Sequence, residues 1–596
     1  MTTGIDADSA HATTEPDATT EPDPTAEPDA TAEGDSRLRS IIDAEWPVRI
    51  ATLGSADDDG DESGADQRYL LPAVDPAALA DAAEYWDQVI NDLDQLDLAA
   101  LSPAAVIDQQ VFRFQIETQR DRLRFRGQQW AANSDTAFWT MLTGRTPDVF
   151  SSVADAEAFT ALLRQIPGFV EHSIDNLRAG LQRGFGPARI SMHGRDATAA
   201  AVADATEAAG TPFFAPYAQL TAATGDDTGS RLETVVAHAV RVIEDVVIPS
   251  FRRLRTFLAE EYLPQLPESL AVIDRPDGAE FYAAQLREYT TTELTPEQIH
   301  QLGLTEVANI HTQMQQIAAE LGYTGTDPVV ELLTFMRTDP QFFATSAEQL
   351  LQFGAWECKK FDAIAHHWFG RLPRRRFGVV EPDPALAPTY TAGRGGPGKY
   401  VLNTYNLPAR PLHSIPALTL HEAAPGHAFQ IPFAQELDLP PFRRLVYISA
   451  YGEGWALYCE RLGVEMGIYE TPYQLMGMLS FQMWRAVRLV IDPGIHALGW
   501  SRDRAIDYLL QHTAMSEHDV RTEVDRYISW PGQAAAYYLG MLEIRRLRRQ
   551  AEQRLGESFD LRAFHDCVLS LGSVPLSVLA DRIDTFIADG GVSPFD

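Results

Sequence analysis

Cysteine is scarce in this 596-residue chain, lysine is equally scarce, and long apolar runs are missing. Cys358, Cys459 and Cys567 are odd in number and show no paired spacing, which excludes a disulfide framework and a thiolate metal site. No stretch of about 18 apolar residues exists, so no transmembrane helix is expected. The first residues, MTTGIDADSAHATTEPD, have neither a basic start nor an apolar core. They do not read as a signal peptide, and the cytoplasm is the expected location. Lys359, Lys360 and Lys399 are the only lysines, arginine carries the remaining positive charge, and the net charge is −36. Such an acidic chain is a poor partner for nucleic acid or an anionic membrane.

What is present is core-forming material: 45% hydrophobic residues and ten tryptophans, enough for a large interior. Residues 1–36 stand apart as a disordered acidic tail. Its hexads TEPDAT, TEPDPT and AEPDAT carry no lysine or arginine and too little apolar surface to offset chain entropy. Asp57 to Glu62 resembles a calcium loop, but Glu62 stands where glycine is wanted and Arg68 where the closing acid belongs, so it reads as a solvated insertion.

Beyond Asp75 the pattern is mainly α. Asp75-Pro76 reads as a helix start, and apolar stripes run from Leu79 to Ile90, Val106 to Phe125 and Leu232 to Ile243, the last heading for a kink at Pro249. Thr295-Pro296-Glu297-Gln298 and Ser346-Ala347-Glu348-Gln349 open further helices. Between 371 and 406 prolines and glycines are dense, and Arg376–Val380 and Tyr400–Tyr405 suggest a small sheet. Gly393 to Lys399 satisfies GxxxxGK, but Tyr400 replaces the required hydroxyl residue and a strand follows, so a phosphate loop is rejected. A mobile loop at the rim of a cleft is expected, with Lys399 or Arg394 available to a substrate carboxylate. Residues 37–596 form one unit, with the metal-site half at about 281–596.

The chemistry concentrates in His421-Glu422-Ala423-Ala424-Pro425-Gly426-His427. Two imidazoles and a carboxylate suit a metal site with its own base. The histidines are six apart, which on a straight helix turns the rings roughly 120° away from each other. Pro425 and Gly426 therefore predict a break between Ala424 and His427 that brings the rings together. Downstream, Glu453 is the candidate third ligand, and Glu460, two turns on and on the same face, is a supporting or alternative ligand. His366-His367 with Asp362 is a weaker candidate, because adjacent histidines point to different faces.

These motifs, with Arg488 to His496, Arg526 to Gln533 and Phe564 to Leu576, resemble the bacterial domain-of-unknown-function 885 family of HExxPGH zinc metallopeptidase-like proteins. The resemblance runs from about residue 37 to the C-terminus. It implies a mainly helical metallohydrolase with a deep cleft, a small sheet near the site, and zinc held by the histidine helix and a later glutamate. Tyr538 and Pro493 depart from the family pattern, which bears on substrate preference.

The expected activity is hydrolysis of amide bonds in short peptides, of carboxypeptidase or dipeptidase type. One zinc on His421, His427 and Glu453 would activate water, and Glu422 would serve as general base. Tyr537, Tyr538 and His496 are candidates for the oxyanion donor. Arg488 and Arg526 are candidates for the substrate carboxylate, with internal ion pairs to Asp492, Glu523 or Asp525 as the alternative. A metal-dependent amidohydrolase acting on a metabolite, and a silent metal- or peptide-binding protein, are the competing readings. Retention of Glu422 argues against the last.

Overall fold

The computed structural model describes residues 30–596 except 55–68, 134–135, 221–228, 383, 385–386, 388–390 and 514. The acidic insertion at 57–62 and most of the tail lie outside the described residues. Helix α1 (Ala30–Leu53) starts inside the stretch that composition assigned to the tail. Its first turns are anchored. Asp35 accepts a hydrogen bond from the Ser102 amide, and a Cβ on Gly34 would stand 2.4 Å from the Ala100 carbonyl oxygen.

Capping residues set the helix starts where the sequence puts them. The Asp75 carboxylate accepts the amides of Ala77 and Ala78 at the head of α2 (Pro76–Asp94), and Ser102 caps α3 (Pro103–Arg124). Ahead of Pro249, where a kink is expected, the helix widens. A π turn over Ile243–Val247 joins α4 (Gly229–Val242) to α5 (Ile248–Phe257). The widened turn absorbs the proline's missing donor, and a second π turn, Leu258–Tyr262, precedes Pro264 in the same way. Thr295 forms the anticipated capping box on α6 (Pro296–Glu320), and Ser346 caps α7 (Ala347–Trp368).

Among the described residues two large hydrophobic interiors result, with a third, minor cluster beneath the sheet. The smaller of the two large ones draws on residues between Tyr69 and Leu266, with Trp139, Phe159, Phe213, Tyr217 and Phe251 among its members. The larger joins α1, α2 and α3 to elements from Val272 to Ile587. The metal-site half is therefore completed by the N-terminal helices, a long-range pairing that local periodicity does not carry.

The sheet has three strands rather than two. β1 (Gly378–Val380) runs parallel to β3 (Lys399–Leu402), and β2 (Gly393–Gly396) pairs antiparallel with the other edge of β3. The stretch expected to be a rim loop is thus strand, turn and strand. Gly398, at φ +83°, takes the left-handed position of the Pro397-Gly398 turn. Three glycines in β2 hide it from any propensity-based reading. Tyr400 and Leu402 of β3 pack on Leu350 of α7 and on Ile415 and Leu418 of α8 (Ile415–Glu422), which fixes the sheet beside the histidine motif.

Candidate metal centre

The helix through His421 ends where Pro425 requires it to. α8 stops at Glu422, α9 (His427–Gln435) begins at the second histidine, and Ala423 and Gly426 between them leave helical geometry. The Ala424–Pro425 peptide bond is cis. Gly426 matters through size rather than backbone freedom: its φ is −75°, but a Cβ there would lie 1.8 Å from the His421 carbonyl oxygen. Across this break the imidazole centroids of His421 and His427 stand 5.0 Å apart, with ring planes at 90°.

Helix α10 (Ser449–Glu465) supplies both acids from one face. Glu453 Oε2 lies 3.3 Å from His421 Nε2 and 3.5 Å from His427 Nε2. Two donors bound at zinc-ligand distances around a tetrahedral ion stand about 3.3–3.4 Å apart, so the spacing fits the edges of such a polyhedron. Neither contact has hydrogen-bond geometry: Glu453 Oε2 and His427 Nδ1 are buried without hydrogen-bond partners. Among the described residues, these three are the only group of potential ligands that converge, and all their ligand atoms lie within 4.8 Å. Glu460 stands on the other side of His421, where its Oε1 accepts from Nδ1 at 2.8 Å. That bond assigns a proton to Nδ1 and turns Nε2 toward Glu453.

Charge at this centre is unbalanced. Burial disfavours a protonated His421, yet the proximity of Glu453, Glu460 and Glu422 outweighs it and raises the imidazole to about 10. Burial would likewise raise Glu453, but His427 and His421 hold it well below the usual carboxylate range. The nearest further cation, Arg485, stays 3.7 Å from Glu460. Buried carboxylates require compensation, and here either a proton on His421 or a metal cation provides it.

Several contributors escaped the sequence reading. The Gly395 amide donates to Glu422 Oε2 at 2.7 Å, so β2 holds the carboxylate that adjoins the ligand set. Trp455 Nε1 donates to the Pro425 carbonyl at 2.8 Å and ties α10 to the helix break. Tyr447 lies with its ring 6.3 Å from that of His427, and it fits only because residue 452 is glycine: a Cβ there would sit 2.3 Å from the phenol oxygen. The order of apolar and polar residues announces none of these contacts.

Apart from Lys399, the remaining candidates have partners of their own. His496 is fully buried, its Nε2 donating to the Tyr527 carbonyl at 2.8 Å and its ring 5.4 Å from Tyr282. Burial lowers its pKa to about 4, so it is a neutral interior residue. Tyr538 is buried and donates to Glu306 at 3.0 Å. Tyr537 stands beside Arg526, with the Arg488 guanidinium 4.5 Å over its ring. Arg488 and Arg526 both pair with Glu523, at 3.1 and 3.4 Å, which is the internal ion-pair alternative. Lys399 is exposed at the hairpin end of β3. His366 and His367 sit on α7 with rings 3.8 Å apart, and Asp362 is engaged by Lys359 and Arg376. Tyr537 and Tyr538 lie shortly before Gly540, whose backbone packs against Gly454 beside Glu453. Motif neighbourhood placed these candidates; the contacts place them in interior networks or, for Lys399, at a strand end.

Fold and site together define a mainly helical protein with a buried two-histidine, one-carboxylate centre beside an accessible glutamate. The chain belongs to the bacterial protein family of unknown function DUF885, whose model matches residues 48–583. A structure from Colwellia psychrerythraea, described as a putative lipoprotein, superposes with a TM-score of 0.84 at 24% identity, covering 94% of this chain and 99% of that one. Another, from Shewanella oneidensis and described as a putative lipoprotein of unknown function, has a TM-score of 0.69 at 17% identity, covering 92% and 99%. No curated protein matches the chain. The lipoprotein descriptions overturn the cytoplasmic location expected from the sequence. Among the described residues no helix is long and apolar enough to cross a membrane, and that fact does not assign a compartment.

Proposed function

We propose that this chain is a metal-dependent amide hydrolase acting on peptides, with zinc on His421, His427 and Glu453. The observation that carries the reading is the 3.3 and 3.5 Å convergence of the two imidazoles on an unpartnered Glu453 oxygen, with the Glu422 carboxylate alongside. When bound, zinc supplies a Lewis acid and an acidified water. Glu422 is half-buried and fixed at Oε2 by the Gly395 amide, leaving Oε1 to accept the proton from water and return it to the leaving amine. Tyr447, whose ring lies 6.3 Å from that of His427, joins Tyr537, Tyr538 and His496 as a candidate donor to a developing oxyanion. Glu460 and Trp455 hold the imidazole and the helix break that these steps depend on. With Arg488 and Arg526 committed to Glu523, preference for a terminal carboxylate loses its basis in those residues, and peptide hydrolysis without a stated end preference remains.

The test is elemental analysis of chelator-washed protein reconstituted with zinc, beside His427→Ala and Glu422→Gln, followed by a peptide-library digest. One zinc in the wild type and in Glu422→Gln, none in His427→Ala, and turnover only in the wild type is the expected pattern. Zinc retained by His427→Ala, or peptide turnover surviving in Glu422→Gln, would overturn the assignment.

A further inference from the structure

Helix α11 (Ala536–Leu555) runs parallel to α10: Gly454 lies against Gly540, and further along both helices Glu465 pairs with Arg548 at 2.6 Å. Helix α6 follows the seam between them. The Tyr538 hydroxyl of α11 donates to Glu306 of α6 at 3.0 Å, and two turns on, Arg461 Nη1 of α10 donates to Gln313 Oε1 of α6 at 3.1 Å. Seven residues separate Glu306 from Gln313, Gly454 from Arg461 and Tyr538 from Arg545, so each helix presents the later residue on the face of the earlier one. Arg545 is thereby brought to the level of Arg461.

No acid answers these two guanidinium groups. Among the described residues no carboxylate lies within 4.0 Å of either, and the hydrogen-bond contact of Arg545 is with the Met541 sulfur, at 4.0 Å. The acids nearby are engaged: Glu465 by Arg548, and Glu306 by Tyr538 and Asn309. Burial holds the Arg461 guanidinium below its ordinary basicity, and the charge of Arg545 pushes in the same direction. Two like charges that share a half-buried seam repel each other unless an anion stands between them.

The seam is open at this level. Arg461, Gln313 and Arg545 are half-buried rather than enclosed, and one turn further along the three helices Gln316, Val464 and Arg549 are exposed to solvent. Arg549 adds a third positive charge at the mouth.

We propose that this mouth binds one compact oxyanion, bridged between Arg461 of α10 and Arg545 of α11. Guanidinium groups meet carboxylate and phosphate oxygens with paired N–H donors, and two of them from different helices suit a group that presents several oxygens at once. Free phosphate and the terminal carboxylate of a peptide carry the same chemistry. Arg461 directly follows Glu460, so the bound anion clamps the helix that supplies both acids of the metal centre. The site needs neither the metal nor turnover, and it stands or falls separately from the peptide-hydrolase reading.

The experiment is calorimetric titration of the chelator-washed full chain with sodium phosphate and, separately, with N-acetylalanine, ionic strength being held constant with sodium chloride. Arg461→Gln and Arg545→Gln are titrated beside the wild type, and Arg546→Gln, an exposed arginine paired with Glu543, is the control. One saturable site per wild-type chain is expected, weakened about tenfold or more in each seam variant and unchanged in the control. Phosphate bound alone would identify the occupant as a free dianion, and N-acetylalanine bound as tightly would identify it as a peptide carboxylate. Saturation by neither probe, or affinity undiminished in a seam variant that keeps its helical circular dichroism, would overturn the site. Should one seam variant fail to fold, the other and the wild-type titration decide.

Discussion

Two buried histidine–carboxylate clusters share the larger core, and both lie in stretches that stand out in the sequence. Around His496, Asp492 accepts from the Tyr282 hydroxyl at 2.6 Å and from the Gly532 amide at 3.1 Å, while the imidazole donates to a backbone carbonyl. Around His421, three carboxylates face two imidazoles, and the central oxygen of Glu453 finds no donor. In the first cluster hydrogen-bond donors answer the acid. In the second the imidazole of His421 and the Gly395 amide answer Glu460 and Glu422, while Glu453 Oε2 faces only the two imidazoles. Unanswered negative charge inside a protein, more than the residue types or their motif, separates a candidate site from internal scaffolding.

The sharpest way to break that contrast is to remove one member from each side. His421→Ala or Glu453→Ala should abolish stoichiometric zinc binding and the thermal stabilisation that zinc brings, whereas His496→Ala should destabilise the fold and leave metal content at one. Metal lost from the His496 variant, with the fold intact by circular dichroism, would merge the two clusters.

Acid titration comes next. His413, His496 and His565 are held neutral by burial, with pKa values of about 4, 4 and 3. Each therefore binds its proton more readily in the unfolded chain, so its contribution is present above about pH 6.5 and is lost as pH falls toward 4, on the order of 3 kcal/mol apiece. Asp492 has the opposite sign. Burial pushes it up to about 7, and its contribution is lost as pH rises through the interval from about 4 to 7. The three histidine contributions together exceed that of Asp492, so denaturant midpoints should fall from pH 6.5 to pH 4 in the metal-free protein. A flat or rising midpoint over that range would contradict the neutral histidines.

Smaller effects sharpen the comparison further. Glu460→Gln keeps the size of the group that orients His421 but weakens its acceptor, and should lower zinc affinity about 10–100-fold by competition titration. Tyr282→Phe should cost about 1–3 kcal/mol of stability and leave zinc affinity unchanged. Trp455→Phe removes a single hydrogen bond to the Pro425 carbonyl and should cost about 1 kcal/mol, with a measurable loss of zinc affinity as the helix break loosens.

Much of the centre was legible because it rests on local spacing. The six-residue interval between histidines demanded a break, and Pro425 gave the break its place; Glu453 was the nearest downstream carboxylate in apolar company, and Glu460 followed from seven-residue helical arithmetic. The mainly helical fold was legible from caps and stripes. What was not legible depends on contacts across the chain or on what glycine leaves out. β2 is three-quarters glycine and carries no strand propensity, and Tyr447 owes its place to a missing Cβ at Gly452. Tyr537, Tyr538, His496, Arg488 and Arg526 looked functional through the company they keep in sequence, yet each is held in a network with its own partners. The lobe between Tyr69 and Leu266 could not be told from the rest, because both cores are built from the same helical pattern and differ only in which helices meet.

Helix α10 touches His421 at both ring nitrogens, through Glu453 on one side and Glu460 on the other, about 10.5 Å apart along the helix axis. The same helix lies backbone to backbone against Gly540, where a Cβ on Gly454 would come within 2.5 Å. The imidazole is thus gauged by a single rigid rod seated in a slot one atom deep. Any push that slides the rod, from the side of Gly540 as well, would tilt the ring and shift the proposed centre's metal affinity, which would then gauge strain in the packing of the larger core.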